Sequence, residues 1–199
     1  MSELFGKLST LYEEGHARKV DGLLSDAAHA SGDRQTPAAV LVAVVDQAEP
    51  SVILTQRPND MRDHPGQVAF PGGKIDAGED AVTAALREAE EELALPRDEV
   101  RVIGTSDIYR TATGFDVTPV LGVVPPGLSL EPSPTEVAAW FEAPLSLLLE
   151  PASWTTNEVF WRGKMRRYLE MDYEGFRIWG VTAAIIMNLS KRVDARRLG

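Results

Sequence analysis

Apolar residues at the start of the chain fall at mostly helical intervals: Leu4, Phe5, Leu8, Leu11 and Tyr12, then Val20, Leu23, Leu24 and Ala27. That spacing predicts one or two amphipathic helices, broken near Gly15. Residues 31–37, SGDRQTP, are a loop by composition and mark the expected boundary between an N-terminal helical extension, residues 1–35, and a main domain, residues 36–199. The period then changes. AAVLVAVV (38–45) and SVILTQR (51–57) read as strands joined by the polar turn DQAEP, and HPGQVAFPGG places a short strand between two turn signals. AVTAALREAEEELA reads as a helix, with Ala81, Ala84 and Ala85 offering a small-residue face for close packing.

Further along, EVRVIGTSDIY, FDVTPVLGVV and VAAWF read as strands, and PLSLLLE as a short helix entered through proline. VFWRGKMRRYLEMDYEGFRIW alternates apolar and polar residues around Gly163 and Gly175, the pattern of strands and turns. GVTAAIIMNLSKRV is the closing helix, basic at its C-terminal end as the helix dipole prefers. Mixed strands with two helices placed to cover a sheet predict an α/β fold, an α/β/α sandwich around a mixed β-sheet with an N-terminal helical extension.

Composition narrows the class of function. With 44% hydrophobic and 25% charged residues, the chain has the makeup of one globular domain with an extension. No apolar run approaches a membrane span, and the first residues lack the basic-then-apolar pattern of a signal peptide, so a cytoplasmic protein is expected. The absence of cysteine removes disulfides, thiolate zinc sites and cysteine nucleophiles together. A net charge of −10 argues against a nucleic-acid groove, because neutralising a polyanion takes Lys and Arg. An anionic small molecule must therefore meet a local group of bases or a metal.

The chain's chemistry concentrates in residues 73–95, GKIDAGEDAVTAALREAEEELAL. In a helix starting near Glu79, Glu88, Glu91 and Glu92 stand at i, i+3 and i+4, so three carboxylates share one face while Glu90 points away. Such a face repels itself and calls for a cation. Carboxylate oxygens suit a hard divalent ion such as Mg2+, Mn2+ or Ca2+. A merely solvated acidic helix would leave the fixed spacing to Arg87 and to the preceding glycines unexplained.

Residue by residue, this string resembles the Nudix box, G-x5-E-x7-R-E-U-x-E-E-x-G-U with U a bulky apolar residue. Gly73, Glu79, Arg87, Glu88, Glu91, Glu92 and Leu95 match it. Ala89 is smaller than the usual apolar residue, and Ala94 replaces the last glycine, which implies either a strained left-handed residue or a different helix exit. The preceding segment ILTQRPNDMRDHPGQVAFPGG, residues 53–73, resembles the signature of the coenzyme A pyrophosphatase branch of that family. Leu54, Thr55, Arg57, Arg62, Gly66, Phe70, Pro71, Gly72 and Gly73 match, whereas Ile53 and Pro58 depart from it. Later stretches at 113–122 and 173–185 are similar to that branch too, so the likeness runs from about residue 37 to 190.

The resemblance implies a Nudix-type α/β/α sandwich that hydrolyses a nucleoside diphosphate derivative with Mg2+ or Mn2+. The substrate it implies is coenzyme A or an acyl-coenzyme A. Glu88, Glu91, Glu92 and the Gly72 carbonyl are then the metal ligands, with Glu79 and Arg87 supporting them in catalysis. Glu88 is the first candidate for general base and Glu136, in the PTEV turn, the alternative. Arg57, Arg62, His64, Gly66 and Gly73 are the candidate substrate-binding residues. Read from the residues alone, Arg57, Arg62 and His64 are two fixed cations and one titratable group beside a glycine-rich turn, and His64 before Pro65 also fits a role in holding an extended turn. The competing activities are hydrolysis of ADP-ribose, NADH or another nucleoside diphosphate, and a catalytically silent nucleotide-binding domain. Trp140, Trp154, Trp161 and Trp179 are open to a pocket or a core role. The apolar stripe of the N-terminal helices needs cover from a homodimer partner or from the chain's own sheet.

Overall fold

A computed structural model describes residues 2–29, 35–61, 64–161 and 164–198. The fold is organised on β1 (Thr36–Val45), whose side chains alternate between two buried faces. Ala39, Leu41, Ala43 and Val45 point to one core, Ala38, Val42 and Val44 to the other. A strand apolar on both faces belongs in the middle of a sheet covered on both sides. β7 (Phe115–Val124) runs parallel to β1 along its whole length, from Thr36 opposite Phe115 to Val45 opposite Val124.

The other edge of β1 is divided, and this division positions the chemistry. β2 (Ser51–Gln56) pairs with β1 only at Val44 and Val45, then splays away. The wedge so opened is filled by the segment around the FPGG turn. β3 (Val68–Ala69) pairs with the far end of β2, and β4 (Gly72–Lys74) pairs with Ala38–Val40 of β1. At the apex, the Leu41 amide donates to the Pro71 carbonyl at 2.8 Å. β5 (Arg101–Thr105), β6 (Tyr109–Arg110) and β8 (Ala139–Pro144) complete an eight-stranded mixed sheet among the described residues.

α2 (Ala81–Leu93) covers one face, its fully buried Ala84, Ala85 and Ala89 letting the helix approach β1 closely. α1 (Glu3–Ala17), the short α3 (Leu145–Leu148) and α4 (Gly180–Ser190) cover the other, together with a three-stranded sheet of β9 (Thr155–Trp161), β10 (Lys164–Tyr173) and β11 (Phe176–Trp179). The result is the expected α/β/α sandwich with a mixed sheet. Among the described residues no helix is long and apolar enough to cross a membrane. Trp154 is a core residue, its Nε1 donating to the Leu148 carbonyl at 2.9 Å. Trp140 and Trp179 are half-buried, and the Trp161 side chain lies outside the described residues.

The N-terminal segment departs from its periodicity in two ways. α1 runs unbroken through Gly15, because this glycine serves close packing instead of a turn: a Cβ there would lie under 3.0 Å from the Arg192 carbonyl. Arg192 in turn donates to the carbonyls of Gly15 (2.9 Å) and Arg18 (2.7 Å) and forms a two-bond pair with Asp107. The second helix expected around Val20–Ala27 does not form, apart from one 3₁₀ turn at Ala27–His29. Asn188 of α4 instead brackets an extended backbone, donating to the Leu24 carbonyl at 2.9 Å and accepting from the Leu24 amide at 2.7 Å. The apolar stripe of α1 (Leu4, Leu8, Leu11) is buried in the chain's own core, so the cover it needs comes from within.

Candidate active site

α2 begins at Asp80, whose carboxylate caps the helix by accepting from the Thr83 amide at 2.7 Å. Its last turns carry Arg87, Glu88, Glu91 and Glu92 toward the wedge. Arg87 is the organiser of this cluster, and each of its five N–H groups has an acceptor. Nε and Nη2 grip the two oxygens of Glu79 at 2.9 and 3.0 Å. Nη1 divides between Glu88 (2.9 Å) and Glu91 (3.1 Å), and Nη2 also reaches the Lys74 carbonyl at 3.0 Å. Hydrogen bonding to Arg87 holds the Glu79 carboxyl below the ordinary range and raises Arg87 above its own. Glu79 also accepts from the Asp76 amide, so the turn before the helix is fixed to its middle.

The three glutamates of the shared face fan out. At about 100° per residue, Glu91 and Glu92 lie on either side of Glu88. Glu91 is exposed and drawn to Arg87, whereas Glu92 turns inward and is 7% exposed. Burial, then repulsion from Glu88 and Glu136, pushes the Glu92 carboxyl up to about 8, against the opposing pull of the Gly72 amide and of Arg57. Glu88 is likewise raised, first by burial, although its hydrogen bond to Arg87 opposes this. Glu90 points away and pairs with Arg97 at 2.6 Å, as the spacing predicts.

The glycines before the helix are required by closeness. A Cβ on Gly73 would lie under 3.0 Å from both oxygens of Glu88, and one on Gly72 equally close to the Ala39 carbonyl. In the ladder with β1, Leu41 bonds Pro71 and the Ile75 amide donates to the Pro37 carbonyl, so Gly73 pairs inward with Ala39. Alternation then turns the Gly72 amide and carbonyl outward, away from β1.

A resident metal can be tested against these residues. Arg87 holds Glu88 and Glu91 while Glu92 turns in, and no three His, Cys, Asp or Glu side chains among the described residues stand in one ready-made shell. The donor chemistry nonetheless fits a hard divalent cation. Glu88, Glu92 and the outward backbone of Gly72 supply oxygens, and a buried carboxyl kept neutral by its surroundings gains most from a positive neighbour.

Glu136 arrives from far along the chain. The Ser133 and Glu131 amides donate to the Glu92 and Leu93 carbonyls at 2.8 and 2.9 Å, which docks the turn 131–137 on the open end of α2. Ala94 closes that end in the left-handed region (φ 53°, ψ 31°), its amide bonding Glu90 and that of Leu95 bonding Ala89. Of the two exits open to alanine, the strained one is adopted. In sequence, Glu136 carried only the weak signal of a short acidic turn.

The upstream motif forms the remaining wall. Arg57 leaves β2 beside Glu92, its amide donating to the Gln67 carbonyl at 3.0 Å. Its Nε is buried and has no hydrogen-bond partner among the described residues, which leaves a fixed cation with a spare donor next to the acidic cluster. Arg62 lies outside the described residues. His64 is exposed and adopts φ 56°, so it reverses the chain instead of holding an extended turn: the Gln67 amide returns to its carbonyl at 3.2 Å. Gly66 is also left-handed (φ 66°) and packs on Asn59. A large cavity of about 1250 Å³ lies elsewhere, between the ends of α1 and α4 and α3, and its bases are engaged within the chain, Arg18 with the Lys191 carbonyl and Arg197 with Glu14.

Comparison with known proteins gives this cluster a context. The NUDIX domain family matches residues 35–162. Two curated relatives carry the name "Uncharacterized Nudix hydrolase NudL". The one from Citrobacter koseri is 44% identical over 160 residues, covering 80% of this chain and 83% of the relative. The one from Klebsiella pneumoniae is 41% identical over 190 residues, covering 91% and 98%. Among solved structures, a Nudix hydrolase from M. smegmatis, RenU, superposes with a TM-score of 0.51 at 23% identity over 63% of this chain and 81% of that chain, which concerns the fold alone. Nudix hydrolases act on phosphorus-containing anhydrides and generally use divalent metal ions. The family match over most of the chain, the close NudL relatives and an acidic helix gripped by its own arginine lead to one conclusion: the chain belongs to the Nudix hydrolase family and is a pyrophosphatase-type enzyme.

Proposed function

We propose that this enzyme hydrolyses the pyrophosphate bond of coenzyme A or an acyl-coenzyme A, with Mg2+ or Mn2+, giving adenosine 3′,5′-bisphosphate and 4′-phosphopantetheine or its acyl form. The observation that carries this reading is the direct junction of the 53–73 motif with the metal helix, through Arg57 beside Glu92. Glu88, Glu91, Glu92 and the Gly72 carbonyl would hold the ion, Glu91 after release from Arg87. When bound, such an ion neutralises phosphate charge and acidifies a water.

The chain's own groups do the rest. Arg57 and Arg62 orient the phosphates, with His64 and the backbone at Gly66 and Gly73 lining their approach. Glu79 and Arg87 fix the carboxylates, so that little reorganisation is needed when the charge on the phosphate changes. Glu88 takes the proton of the attacking water, and Glu136 is the competing base, close enough to raise both Glu88 and Glu92. The protein is read as a cytoplasmic enzyme for a small molecule, with residues 1–35 an extension of the catalytic domain.

A turnover panel of coenzyme A, ADP-ribose and NADH, with and without Mg2+ or Mn2+ and with products identified by mass spectrometry, tests the assignment. Coenzyme A should be cleaved to the two named products only with the ion present. Cleavage of ADP-ribose at least tenfold more efficiently would overturn the substrate, and metal-independent turnover would overturn the site.

A further inference from the structure

One hydroxyl ties α4 to the segment that carries part of the candidate active site. Thr182 lies in the first turn of α4, is buried, and its Oγ1 donates to the Val68 carbonyl of β3 at 2.9 Å. A threonine inside a helix commonly returns its hydroxyl to a carbonyl of the preceding turn. Thr182 instead reaches a residue 114 positions earlier in the chain. The need for it lies in β3, which ends the path of the large sheet beside β2. The Gln67 carbonyl accepts from the Arg57 amide at 3.0 Å and the Ala69 carbonyl from the Thr55 hydroxyl at 3.2 Å, so both face β2. Alternation turns the carbonyl between them, that of the fully buried Val68, away from β2. A buried carbonyl with no strand beside it must take its donor from elsewhere, and α4 supplies one.

What β3 joins makes this bond more than packing. Before it, Gln67 fixes the backbone of Arg57, which neighbours Glu92. After it, the chain passes through Phe70 and Pro71 to Gly72, whose amide bonds Glu92, and to Gly73, which packs on the Glu88 carboxylate. The segment 67–73 therefore connects the cation of the upstream motif to the acidic helix. Its pairing with β2 consists of Thr55 opposite Ala69 and Gln56 opposite Val68, too short a ladder to hold a strand rigidly by itself. A tilt of β3 would move Gly72 and the Arg57 backbone relative to Glu88 and Glu92. Thr182 opposes that tilt from the side that faces away from β2.

We propose that Thr182 is a positioning residue: its bond to the Val68 carbonyl sets β3 so that the Gly72 backbone is in place for a cation shared with Glu88 and Glu92, and Arg57 for the phosphates. This rests on the metal site proposed above. Thr182→Val keeps the volume and removes the hydroxyl, leaving the Val68 carbonyl buried without this donor; Thr182→Ser keeps the hydroxyl and removes a methyl group. Thr182→Ala also removes the hydroxyl and is read in the same way, so a misfolded valine variant leaves the test intact. Mn2+ binding is followed by electron paramagnetic resonance without substrate, and kcat/KM is measured on the best substrate of the turnover panel, each on protein with a native circular dichroism spectrum. In Thr182→Val the Mn2+ Kd should rise at least fivefold and kcat/KM fall at least tenfold, as small displacements of a site do, whereas Thr182→Ser should stay within twofold of wild type in both. A residue that only fills space would give the reverse order, with serine the more damaging change. An unchanged Mn2+ Kd in Thr182→Val refutes the positioning role, as does a loss in Thr182→Ser equal to that in Thr182→Val. Mn2+ binding in Glu92→Gln as tight as in wild type, or no binding in wild type, would instead refute the metal site itself.

Discussion

Replacing Glu92 by glutamine should have opposite effects on stability with and without metal. The folded carboxyl titrates at about 8 against an ordinary value of 4.5. A raised carboxyl stabilises the fold fully below 4.5 and loses that contribution as the pH climbs toward 8, because the unfolded chain ionises freely while the folded one must stay neutral or bury a charge. The slope is about 1.4 kcal/mol per pH unit, so at pH 7 the penalty reaches about 3 kcal/mol, and relaxation of the site should leave about half of it. Glutamine keeps the shape and an acceptor for the Gly72 amide but has no charge to bury.

In EDTA, urea denaturation should therefore find Glu92→Gln and wild type equally stable near pH 4.5. The variant should gain about 1–3 kcal/mol by pH 7 and more by pH 8.5. With Mg2+ at a hundred times its Kd, wild type should recover about 2.7 kcal/mol that the variant lacks. Metal-dependent turnover should be lost in the variant. A stability difference that does not change with pH, or a variant that still gains stability from Mg2+ and turns over substrate, would refute the placement of Glu92 as a buried metal ligand.

Two other substitutions probe the same helix. Gly73→Ala brings a Cβ under 3.0 Å from the Glu88 carboxylate and should displace it, lowering kcat by about 100-fold, as misplacing a reacting group does, while the circular dichroism spectrum is preserved; normal kcat would show that Glu88 need not stay where it is. Ala94→Gly relieves a left-handed alanine and should raise stability by about 1 kcal/mol, seen as a higher denaturation midpoint at unchanged activity; a lower midpoint would mean the helix exit is not strained.

Much of this molecule is legible in the chain because its signals are local. The apolar run at 38–45 marks a strand, and the i, i+3, i+4 spacing of Glu88, Glu91 and Glu92 places them on one side of a helix. The same local reasoning misjudged Gly15. A glycine in a helical pattern reads as a break, but its cause here is Arg192, which is brought against it from the other end of the chain. It misjudged Val20–Ala27 as well, where Asn188 claims the backbone groups that a helix would have used.

The sequence by itself determined most of the strands and helices, the box of charged residues and the family, since each depends on repeats and spacings that one segment carries alone. Only the tertiary structure decided how they combine. It set the parallel pairing of β1 with β7, inserted the FPGG segment into the wedge between β1 and β2, and docked the turn bearing Glu136 on the end of α2. It also separated the three glutamates, giving Glu91 to Arg87 in the open and Glu92 to the interior. Helical geometry fixes only the direction in which a carboxylate leaves its helix; whether it meets water, a guanidinium or a second carboxylate depends on chain remote in sequence, and that encounter sets its charge.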